Sequence, residues 1–337
     1  MKVKVFAPTR IDLAGGTLDI YPLYLFAGGG VVLNVAIDLF AQVDIEVRAD
    51  SRIAVEAADL GLSLEAEELN EFVSKAENTP LDLVARVLQF YRPRQGLNIF
   101  TSSKVPAGSG LGGSSALLMS LSTGLVQLEN IPSSKKQIID FGSDIEAQSL
   151  RVPTGKQDYF PAAYGGFNAL WFELPGIRRE ELVFSKAFRQ ELQSQIILGY
   201  SGASRFSGLN NWNVVKQYID NKQSVVEKLA KIKQTAFSMY QCLKEENLEG
   251  FSDCLVEEWS NRKELVTGVT SVVIENIFAA AYQAGAQASK ICGAGGGGCF
   301  ITLSREGCQE KVKQAIVDNG GEIMDYRFSD KGVRVVE

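Results

Sequence analysis

Hydrophobic and polar positions follow different periods along the chain, and each period predicts one kind of element. Residues 2–6 alternate polar and apolar side chains, and residues 31–47 are rich in β-branched residues between a glycine cluster and a polar turn. Both stretches predict strands. Residues 80–91 carry apolar side chains at helical spacing, which predicts a helix with Thr79 as its expected N-cap before Pro80.

Strand and helix patterns continue to alternate in the rest of the chain. Further strands are predicted at residues 96–103, 195–199 and 299–303, and further helices at residues 116–128, 224–243 and 272–284. A Pro-Gly turn within residues 171–177 interrupts this succession. The pattern predicts a protein of mixed helices and strands with two lobes, which span residues 1–172 and residues 173–337.

The composition excludes several classes of enzyme. The 337 residues contain no histidine, which excludes a Ser-His-Asp or Cys-His nucleophile, a histidine general base and a histidine-ligated zinc or haem. Catalysis must therefore use carboxylates, arginine, lysine, hydroxyl groups and the backbone. With 34 Lys and Arg against 40 Asp and Glu, the net charge of −6 argues against nucleic acid or an anionic membrane as a partner.

Three features of the sequence predict a cytoplasmic protein. The five cysteines form no CxxC pair and are odd in number, as is typical of a reducing compartment. The first residues lack the apolar core and cleavage site of a signal peptide. No apolar run reaches the roughly 18 residues that a membrane-spanning helix needs.

The densest glycine cluster lies between a predicted strand and a predicted helix, in the segment KVPAGSGLGGSSALLMSL of residues 104–121. Backbone N–H groups at the start of such a helix are unpaired and lie at the positive end of its dipole, so they attract phosphate. The glycines let the backbone approach an anion closely, and Ser114 and Ser115 can bind a phosphate oxygen or a magnesium ion. The loop is no Walker A motif, because no Gly-Lys-Ser/Thr follows the turn. The alternative interpretation is a flexible turn that serine caps.

Two other segments are unusual, although each has an ordinary interpretation when taken alone. In residues 7–38, Arg10 and Asp12 alternate with apolar neighbours, and Asp19 follows a glycine pair. Such an arginine is more often a surface ion-pair partner, and such an aspartate is more often a turn residue. Residues 289–303, SKICGAGGGGCFITL, could equally form a β-bulge or a glycine-rich hairpin.

These three segments, in this order, resemble the motifs of the GHMP kinases, the family of galactokinase, homoserine kinase, mevalonate kinase and phosphomevalonate kinase. The phosphate loop of that family has the form Pro-x-x-x-Gly-Leu-Gly/Ser-Ser-Ser-x, and residues 106–115 follow it with Gly113 where many members have serine. Residues 293–298 match the family's third motif. The resemblance implies an α+β fold with an N-terminal lobe like a ribosomal-protein domain and a ferredoxin-like C-terminal lobe. The active site would lie between them.

Within the family, the chain is most similar to the bacterial sugar kinases typified by D-glycero-D-manno-heptose 7-phosphate kinase. Residues 10–19, RIDLAGGTLD, resemble the first motif of that group. Residues 155–168 resemble its Gly-Lys-Gln-Asp-Gln and Phe-Gly-Gly-Phe segments. The departures from the pattern are Thr17, Leu18 and Cys292. They leave the identity of the sugar open.

The resemblance also implies roles for individual residues. Asp158 matches the catalytic carboxylate and Arg10 the cation beside it, while Ser114 and Glu146 match the ligands of a magnesium ion. ATP is the implied phosphate donor, and the residues implied to bind it are Pro106, Gly108, Ser109, Gly110, Leu111, Gly112, Gly113, Ser114 and Ser115. The residues implied to bind the acceptor are Gly16, Thr17, Asp19, Lys156, Gly166, Arg205 and Gly295. Taken by themselves, Glu146 could be a solvated helix residue and Lys156 a structural partner of Asp158.

Phosphoryl transfer requires in-line positioning and neutralisation of charge rather than covalent chemistry from the protein. We expect Asp158 to orient the acceptor hydroxyl and accept its proton, and Arg10 to lower the pKa of that carboxyl further. If the acceptor already carries a phosphate, the chain must place cations near it. The candidate cations are Lys104, Arg151, Lys156 and Arg205.

The sequence therefore predicts an ATP- and magnesium-dependent sugar kinase that acts on the anomeric hydroxyl of a heptose 7-phosphate or a related sugar. It predicts a monomer or homodimer without nucleic-acid or membrane partners. One alternative is a kinase for a free monosaccharide such as galactose, fucose or a uronic acid. Another is a regulator that binds nucleotide and sugar without catalysis. A dinucleotide-binding dehydrogenase is disfavoured, because residues 108–113 do not fit Gly-x-Gly-x-x-Gly with an acidic residue about 20 positions on.

Overall fold

The computed structural model describes residues 1–202 and 208–336 of the chain. Its strands are β1 (Lys2–Ala14), β2 (Gly30–Val47), β3 (Ile53–Ala57), β4 (Leu62–Ala66), β5 (Leu97–Ser103), β6 (Phe167–Glu173), β7 (Gly176–Leu182), β8 (Ile196–Tyr200), β9 (Ala286–Ile291), β10 (Cys299–Ser304), β11 (Glu322–Ile323) and β12 (Arg334–Val336). Its helices are α1 (Leu23–Phe26), α2 (Leu69–Ala76), α3 (Asp82–Tyr91), α4 (Gly113–Leu128), α5 (Lys135–Leu150), α6 (Tyr159–Tyr164), α7 (Lys186–Gln195), α8 (Gly208–Ile219), α9 (Gln223–Lys244), α10 (Leu248–Arg262), α11 (Val272–Gln283) and α12 (Gln309–Asp318). The predicted α+β class is confirmed. None of these helices is long and apolar enough to cross a membrane.

Strand β2 organises the first sheet, because it is long enough to pair with several strands. It pairs antiparallel with β1 along one edge. Along its other edge, residues 30–35 pair with β6 and residues 41–47 pair with β5. Strands β3 and β4 continue the sheet beyond β5, β7 continues it beyond β6, and β12 pairs with the outer edge of β1. The C-terminal strand thus returns to the sheet that the N-terminal strand begins.

Helix α4 packs across β1 and β2 and is buried over most of its length. This position explains why its sequence is apolar around nearly its whole circumference. Gly124 lies where the helix approaches the sheet, and a Cβ there would be 2.7 Å from Cδ1 of Ile45. The close packing fixes α4, whose N-terminal end follows the glycine-rich loop, against the sheet.

The second sheet is antiparallel and has the strand order β11-β8-β10-β9. Together with α11 and α12 its strands follow the β-α-β-β-α-β succession of a ferredoxin-like unit. Helices α9 and α10 pack on each other, and they contact β2 of the first sheet and β9 of the second sheet respectively. The first sheet extends through β7 to Leu182, past residues 172 and 173, and the predicted division of the chain there stays a proposal.

The predicted elements coincide with observed ones, and two details differ. The predicted first strand ends at residue 6, whereas β1 continues to Ala14 because its second half is buried on both faces and no longer alternates. The prediction of Thr79 as the N-cap of α3 is wrong, since Leu81 occupies that position without a side-chain cap. The hydroxyl of Thr79 instead donates to the carbonyl of Ala76 at 2.7 Å and accepts from the N–H of Leu81 at 3.2 Å.

Two glycine-rich loops meet between the sheets. One is the phosphate loop (residues 106–112), and the other is the β9–β10 loop (residues 292–298). The N–H of Cys299 donates to the carbonyl of Ser109 at 2.7 Å. A Cβ on Gly293 would lie 2.7 Å from Cα of Gly110. The two backbones approach this closely because neither carries a side chain at the contact.

We predict that Gly293→Ala destabilises the protein through this contact. The φ of Gly293 is not positive, so the added methyl group acts through its clash with Gly110. Overpacking of this kind lowers the free energy of unfolding by about 1–3 kcal/mol, which urea denaturation measures. The control is Gly307→Ala, where a Cβ meets nothing within 4 Å but φ is +77°. Its expected loss is about 1–2 kcal/mol, the cost of a left-handed backbone for a residue with a Cβ. Wild-type stability of Gly293→Ala would contradict the close approach.

Candidate active site

The phosphate loop bends through left-handed glycines before α4 begins. Gly108, Gly110 and Gly112 have φ values of 70°, 79° and 74°. Gly112 is the N-cap of α4 and offers no side-chain cap. The first N–H groups of the helix therefore stay available to an anion.

Arg10, on β1, is the buried cation of the site. Its Nε and Nη2 lie 2.8 and 2.7 Å from Oδ1 of Asp158, the residue at which α6 begins. Its Nη1 donates to the carbonyl of Cys292 at 2.9 Å and also to the carbonyl of Gly110. One guanidinium thus joins β1, both glycine-rich loops and the start of α6.

Burial decides the pKa of Asp158. Loss of solvent raises the pKa of this carboxyl above its ordinary value, and the nearby charge of Arg10 opposes the rise without cancelling it. Arg10 lowers the pKa of Asp158 as predicted, but the effect of burial is larger, so the pKa lies above its ordinary value and not below it. A Cβ on Gly112 would lie 3.1 Å from the carboxyl group of Asp158. The loop thus ends directly beside a carboxylate that is a stronger base than an exposed one.

Glu146, on α5, lies against the first turn of α4. Its Oε2 accepts from the hydroxyl of Ser115 at 3.0 Å, and the hydroxyls of Ser114 and Tyr159 also donate to its carboxylate. Ser114 is exposed, whereas Ser115 is buried behind it. Burial raises the pKa of Glu146. This group of oxygen atoms suits a hard cation such as Mg²⁺.

A complete set of protein ligands for a metal is absent from the described ranges. No three Cys, Asp or Glu side chains of residues 1–202 and 208–336 converge on one point. A magnesium ion held by Ser114 and Glu146 would therefore need phosphate oxygens and water as its remaining ligands. This is the usual arrangement for Mg²⁺ beside a nucleotide.

Asp19 supplies another buried carboxylate to the cleft. Its side chain is 2% exposed, and its Oδ2 accepts from the N–H of Gln157 at 3.0 Å. Gly155 packs so closely on it that a Cβ there would lie 1.9 Å from Oδ2. Burial raises the pKa of Asp19 to about 6. Because Gln157 precedes Asp158, one short segment of chain positions both carboxylates.

Three buried charged residues near the first motif (residues 10–19) were not predicted from the sequence: Glu258, Arg262 and Lys290. Arg262, on α10, lies 2.6 Å from Oε1 of Glu258 and donates to the carbonyl of Gly16 at 2.8 Å. Lys290, on β9, is fully buried, with its Nζ 2.7 Å from Oδ2 of Asp12. Arg262 and Glu258 lie in a helix far from any glycine motif, and their spacing is that of an ordinary surface pair. Lys290 lies in the segment of residues 289–303, just before the third motif, but only its burial distinguishes it.

One cleft of about 580 Å³ is lined by Arg10, Asp19, Glu146, Asp158 and Arg262, but not by Glu258 or Lys290. The predicted site residues that line it are Arg10, Gly16, Thr17, Asp19, Pro106, Gly108, Ser109, Gly110, Gly112, Gly113, Ser114, Glu146 and Asp158. Those that do not line it are Leu111, Ser115, Lys156, Gly166 and Gly295. Arg205 lies outside the described residues.

The residues outside the lining have other contacts. Leu111 is fully buried, and its carbonyl accepts from the N–H of Arg10 at 2.9 Å. The carbonyl of Gly166 accepts from the N–H of Ala36 at 3.0 Å, so Gly166 takes part in the hydrogen bonding of the first sheet. Gly295 packs on Val269, since a Cβ there would lie 2.5 Å from the carbonyl oxygen of that residue.

Among the candidate cations for an acceptor phosphate, Arg151 lines the cleft and Lys104 and Lys156 do not. Nη2 of Arg151 donates to Oδ1 of Asn78 at 2.8 Å.

Comparison with known proteins agrees with this geometry. The family model of the N terminal domain of GHMP kinases matches residues 78–166, and that of the GHMP kinase C terminal domain matches residues 239–322. The chain is 26% identical over 336 residues to the D-glycero-alpha-D-manno-heptose 7-phosphate kinase of Campylobacter jejuni, with 98% of each chain covered. It is 28% identical over 331 residues to the bifunctional fucokinase/GDP-fucose pyrophosphorylase of Arabidopsis thaliana. That alignment covers 93% of this chain and 30% of the Arabidopsis protein.

A solved structure resembles the whole chain as well. The crystal structure of a D-glycero-D-manno-heptose 1-phosphate kinase from Bacteroides thetaiotaomicron matches with a TM-score of 0.78 and 26% identity, and 99% of each chain is covered. The fold and the site define a phosphotransferase with an alcohol group as acceptor. The chain belongs to the GHMP kinase family, and the predicted resemblance to that family is confirmed.

We predict that Asp19 makes the fold less stable as the pH rises. In the folded chain its pKa is about 6, against an ordinary value of 3.8, so the folded state binds this proton more tightly than the unfolded state. The stabilisation is complete below the ordinary pKa and is lost as the pH rises through about 6. Relative to wild type, Asp19→Asn should gain up to about 3 kcal/mol in free energy of unfolding between about pH 4 and about pH 7. Urea denaturation at a series of pH values measures the difference, and parallel curves for the two proteins would contradict it.

Proposed function

We propose that the chain is an ATP-dependent sugar kinase, which transfers the γ-phosphate of ATP to a hydroxyl group of a sugar. The observation that carries the proposal is the contact of Asp158 with Gly112, which brings a partly buried carboxylate to the end of the phosphate loop. The names of the relatives, which are kinases of heptose phosphates and of fucose, support a sugar as the acceptor.

In this proposal, the phosphate loop binds the phosphates of ATP, and Ser114 and Glu146 hold a magnesium ion. The donor set fits such an ion, because both residues offer oxygen atoms at the start of α4. When bound, the ion would neutralise charge on the phosphates. Ser115 and Tyr159 orient the carboxylate of Glu146 through their hydroxyl groups.

Asp158 orients the acceptor hydroxyl and takes its proton in this mechanism. Two donors of Arg10 bind Oδ1 of Asp158, whereas Oδ2 lies beside Gly112. Oδ2 is therefore the oxygen that faces an acceptor next to the terminal phosphate. The raised pKa makes this oxygen a better proton acceptor than an exposed aspartate, and Arg10 keeps the carboxylate in place.

The end of the cleft near Asp19 suits a ligand with many hydroxyl groups. Oδ1 of Asp12 and Oε1 of Gln157 are buried and have no hydrogen-bond partner within the described part of the chain. Both residues line the cleft. Buried acceptors without partners are unfavourable, so hydroxyl donors of a sugar would stabilise them.

We propose a heptose 7-phosphate or a related sugar as the acceptor, with the anomeric hydroxyl as the group that is phosphorylated. The names of both relatives support a heptose phosphate, and that of the Campylobacter jejuni relative supports the 7-phosphate. A free monosaccharide is the second candidate, because the three arginines that line the cleft in the described ranges, Arg10, Arg151 and Arg262, each already lie beside a carboxylate. Arg205 is the candidate that would decide between them.

The location and the oligomeric state belong to the same proposal. All five cysteines are free, which suits a reducing compartment, and we place the enzyme in the cytoplasm on that ground. That the protein is a monomer or a homodimer stays a prediction.

We predict that Asp158→Asn lowers kcat at least about 100-fold, because the amide cannot accept the proton of the acceptor. The Kd for ATP should change little, since the loop binds the phosphates without this side chain. A coupled ADP-release assay over sugars and sugar phosphates, with NMR of the product, provides the measurement. Asp140→Asn, at an exposed ion pair with Lys136, is the control and should keep wild-type turnover. Turnover near wild type in Asp158→Asn would refute the assignment.

We predict that Arg205→Ala raises KM for a sugar phosphate at least about 10-fold and leaves KM for a neutral sugar nearly unchanged, because arginine binds phosphate in a bidentate manner. The same assay with matched phosphorylated and free sugars separates the two acceptors. Equal effects on both acceptors would remove Arg205 from this role.

A further inference from the structure

Arg262 is a buried cation of the cleft that the proposed chemistry does not use. It ends α10, is 4% exposed and lines the cleft. Its Nε and Nη2 lie 3.0 and 2.6 Å from Oε1 of Glu258, one helical turn earlier. Glu258 has no exposed surface. The pair is therefore shielded from solvent, so dissolved salt screens its attraction only weakly.

The guanidinium of Arg262 also reaches the first glycine motif. Its Nη2 donates to the carbonyl of Gly16 at 2.8 Å, and its Nη1 donates to the hydroxyl of Thr17 at 3.3 Å. Thr17 has a φ of 79°, a left-handed conformation that a β-branched residue rarely adopts. Such a conformation persists only where the surroundings hold it, and Arg262 binds the residues on both sides of one peptide bond.

This strained turn leads directly to Asp19. The N–H of Leu18 donates to the carbonyl of Gly15 at 3.1 Å, and the N–H of Ile20 donates to the carbonyl of Thr17 at 3.2 Å. The carboxylate of Asp19 then packs against Gly155 without space to adjust. Because Thr17 is two residues before Asp19, a change in the turn would move the backbone that carries this tightly packed carboxylate.

We propose that Arg262 is a positioning residue, which holds Gly16 and Thr17 in their observed conformation and thereby fixes Asp19 for the acceptor. The inference rests on the proposed function only in that Asp19 binds the acceptor. Arginine suits the position better than lysine, because one planar guanidinium can bind a carboxylate, a carbonyl and a hydroxyl at the same time. Within the described residues, the side chain of Arg262 donates to Glu258, Gly16 and Thr17, so its proposed role is exerted through the turn.

Three variants test this role. Arg262→Met removes the guanidinium, and Arg262→Lys keeps the positive charge but lacks the planar set of N–H donors. The single variant Arg262→Met leaves the buried carboxylate of Glu258 without a cation and can fold poorly for that reason. The double variant Glu258→Gln/Arg262→Met leaves no unpaired buried charge, so it tests the same role in that event. Lys263→Met is the matched control, because it removes the neighbouring cation, whose Nζ lies 3.8 Å from the exposed Glu275.

Steady-state kinetics and ATP binding give the first readout. In Arg262→Met and in the double variant, KM for the acceptor should rise about 10- to 100-fold, while the Kd for ATP should change less than about 2-fold. Arg262→Lys should lie between these variants and wild type, and Lys263→Met should match wild type. An unchanged KM for the acceptor, or an equal loss of ATP affinity, would overturn the positioning role.

Hydrogen–deuterium exchange gives a second readout that needs no substrate. The amides of Leu18 and Ile20 should exchange at least about 10-fold faster in the Arg262→Met and double variants, while those of β9 should keep their wild-type rates. Unchanged exchange at Leu18 and Ile20 would overturn the inference even if the enzyme phosphorylates a sugar. If these amides exchange faster but the wild-type protein phosphorylates no sugar, the result would support the role of Arg262 in holding the turn. It would reject only the proposed function.

Discussion

A guanidinium that is removed from water must find acceptors within the protein, and this requirement organises the site around Arg10. Its partners Asp158, Gly110 and Cys292 are 148, 100 and 282 residues away along the chain. One side chain therefore brings together β1, both glycine-rich loops and the start of α6. Without it, the partly buried carboxylate of Asp158 would have no cation beside it, which is more costly than leaving an exposed pair unmade.

The same region contains more buried charge than a stable fold requires. Lys290 pairs with Asp12, and Arg262 pairs with Glu258, in each case with little or no exposed surface. Buried ion pairs contribute little net stability, so their concentration here is better explained by a preorganised polar environment for the transfer of a charged group. The cost is visible in the raised pKa of Asp19 and in the left-handed Thr17.

The features that could be predicted from the sequence are local ones. The glycine loops, the serines that follow them and the periodicity of most strands and helices depend on neighbouring residues, and they led to the phosphate loop and the family. Features that depend on burial could not be predicted. Residues 7–14 lose their alternation because both faces are covered, and Asp158 has a raised pKa because desolvation outweighs Arg10. Glu258 and Arg262 have the spacing of a solvated helix pair, and only tertiary packing buries both residues and places Arg262 at the cleft.

The central claim is that the phosphate loop binds the triphosphate with its terminal group beside Asp158. A crystal structure of the chain with a non-hydrolysable ATP analogue and Mg²⁺ tests it most directly. The account predicts the terminal phosphate at the start of α4, between Ser114 and Asp158, with Arg10 still bound to Oδ1 of Asp158 and Oδ2 facing the phosphate. A terminal phosphate elsewhere in the cleft, or an Asp158 side chain turned away into solvent, would contradict it.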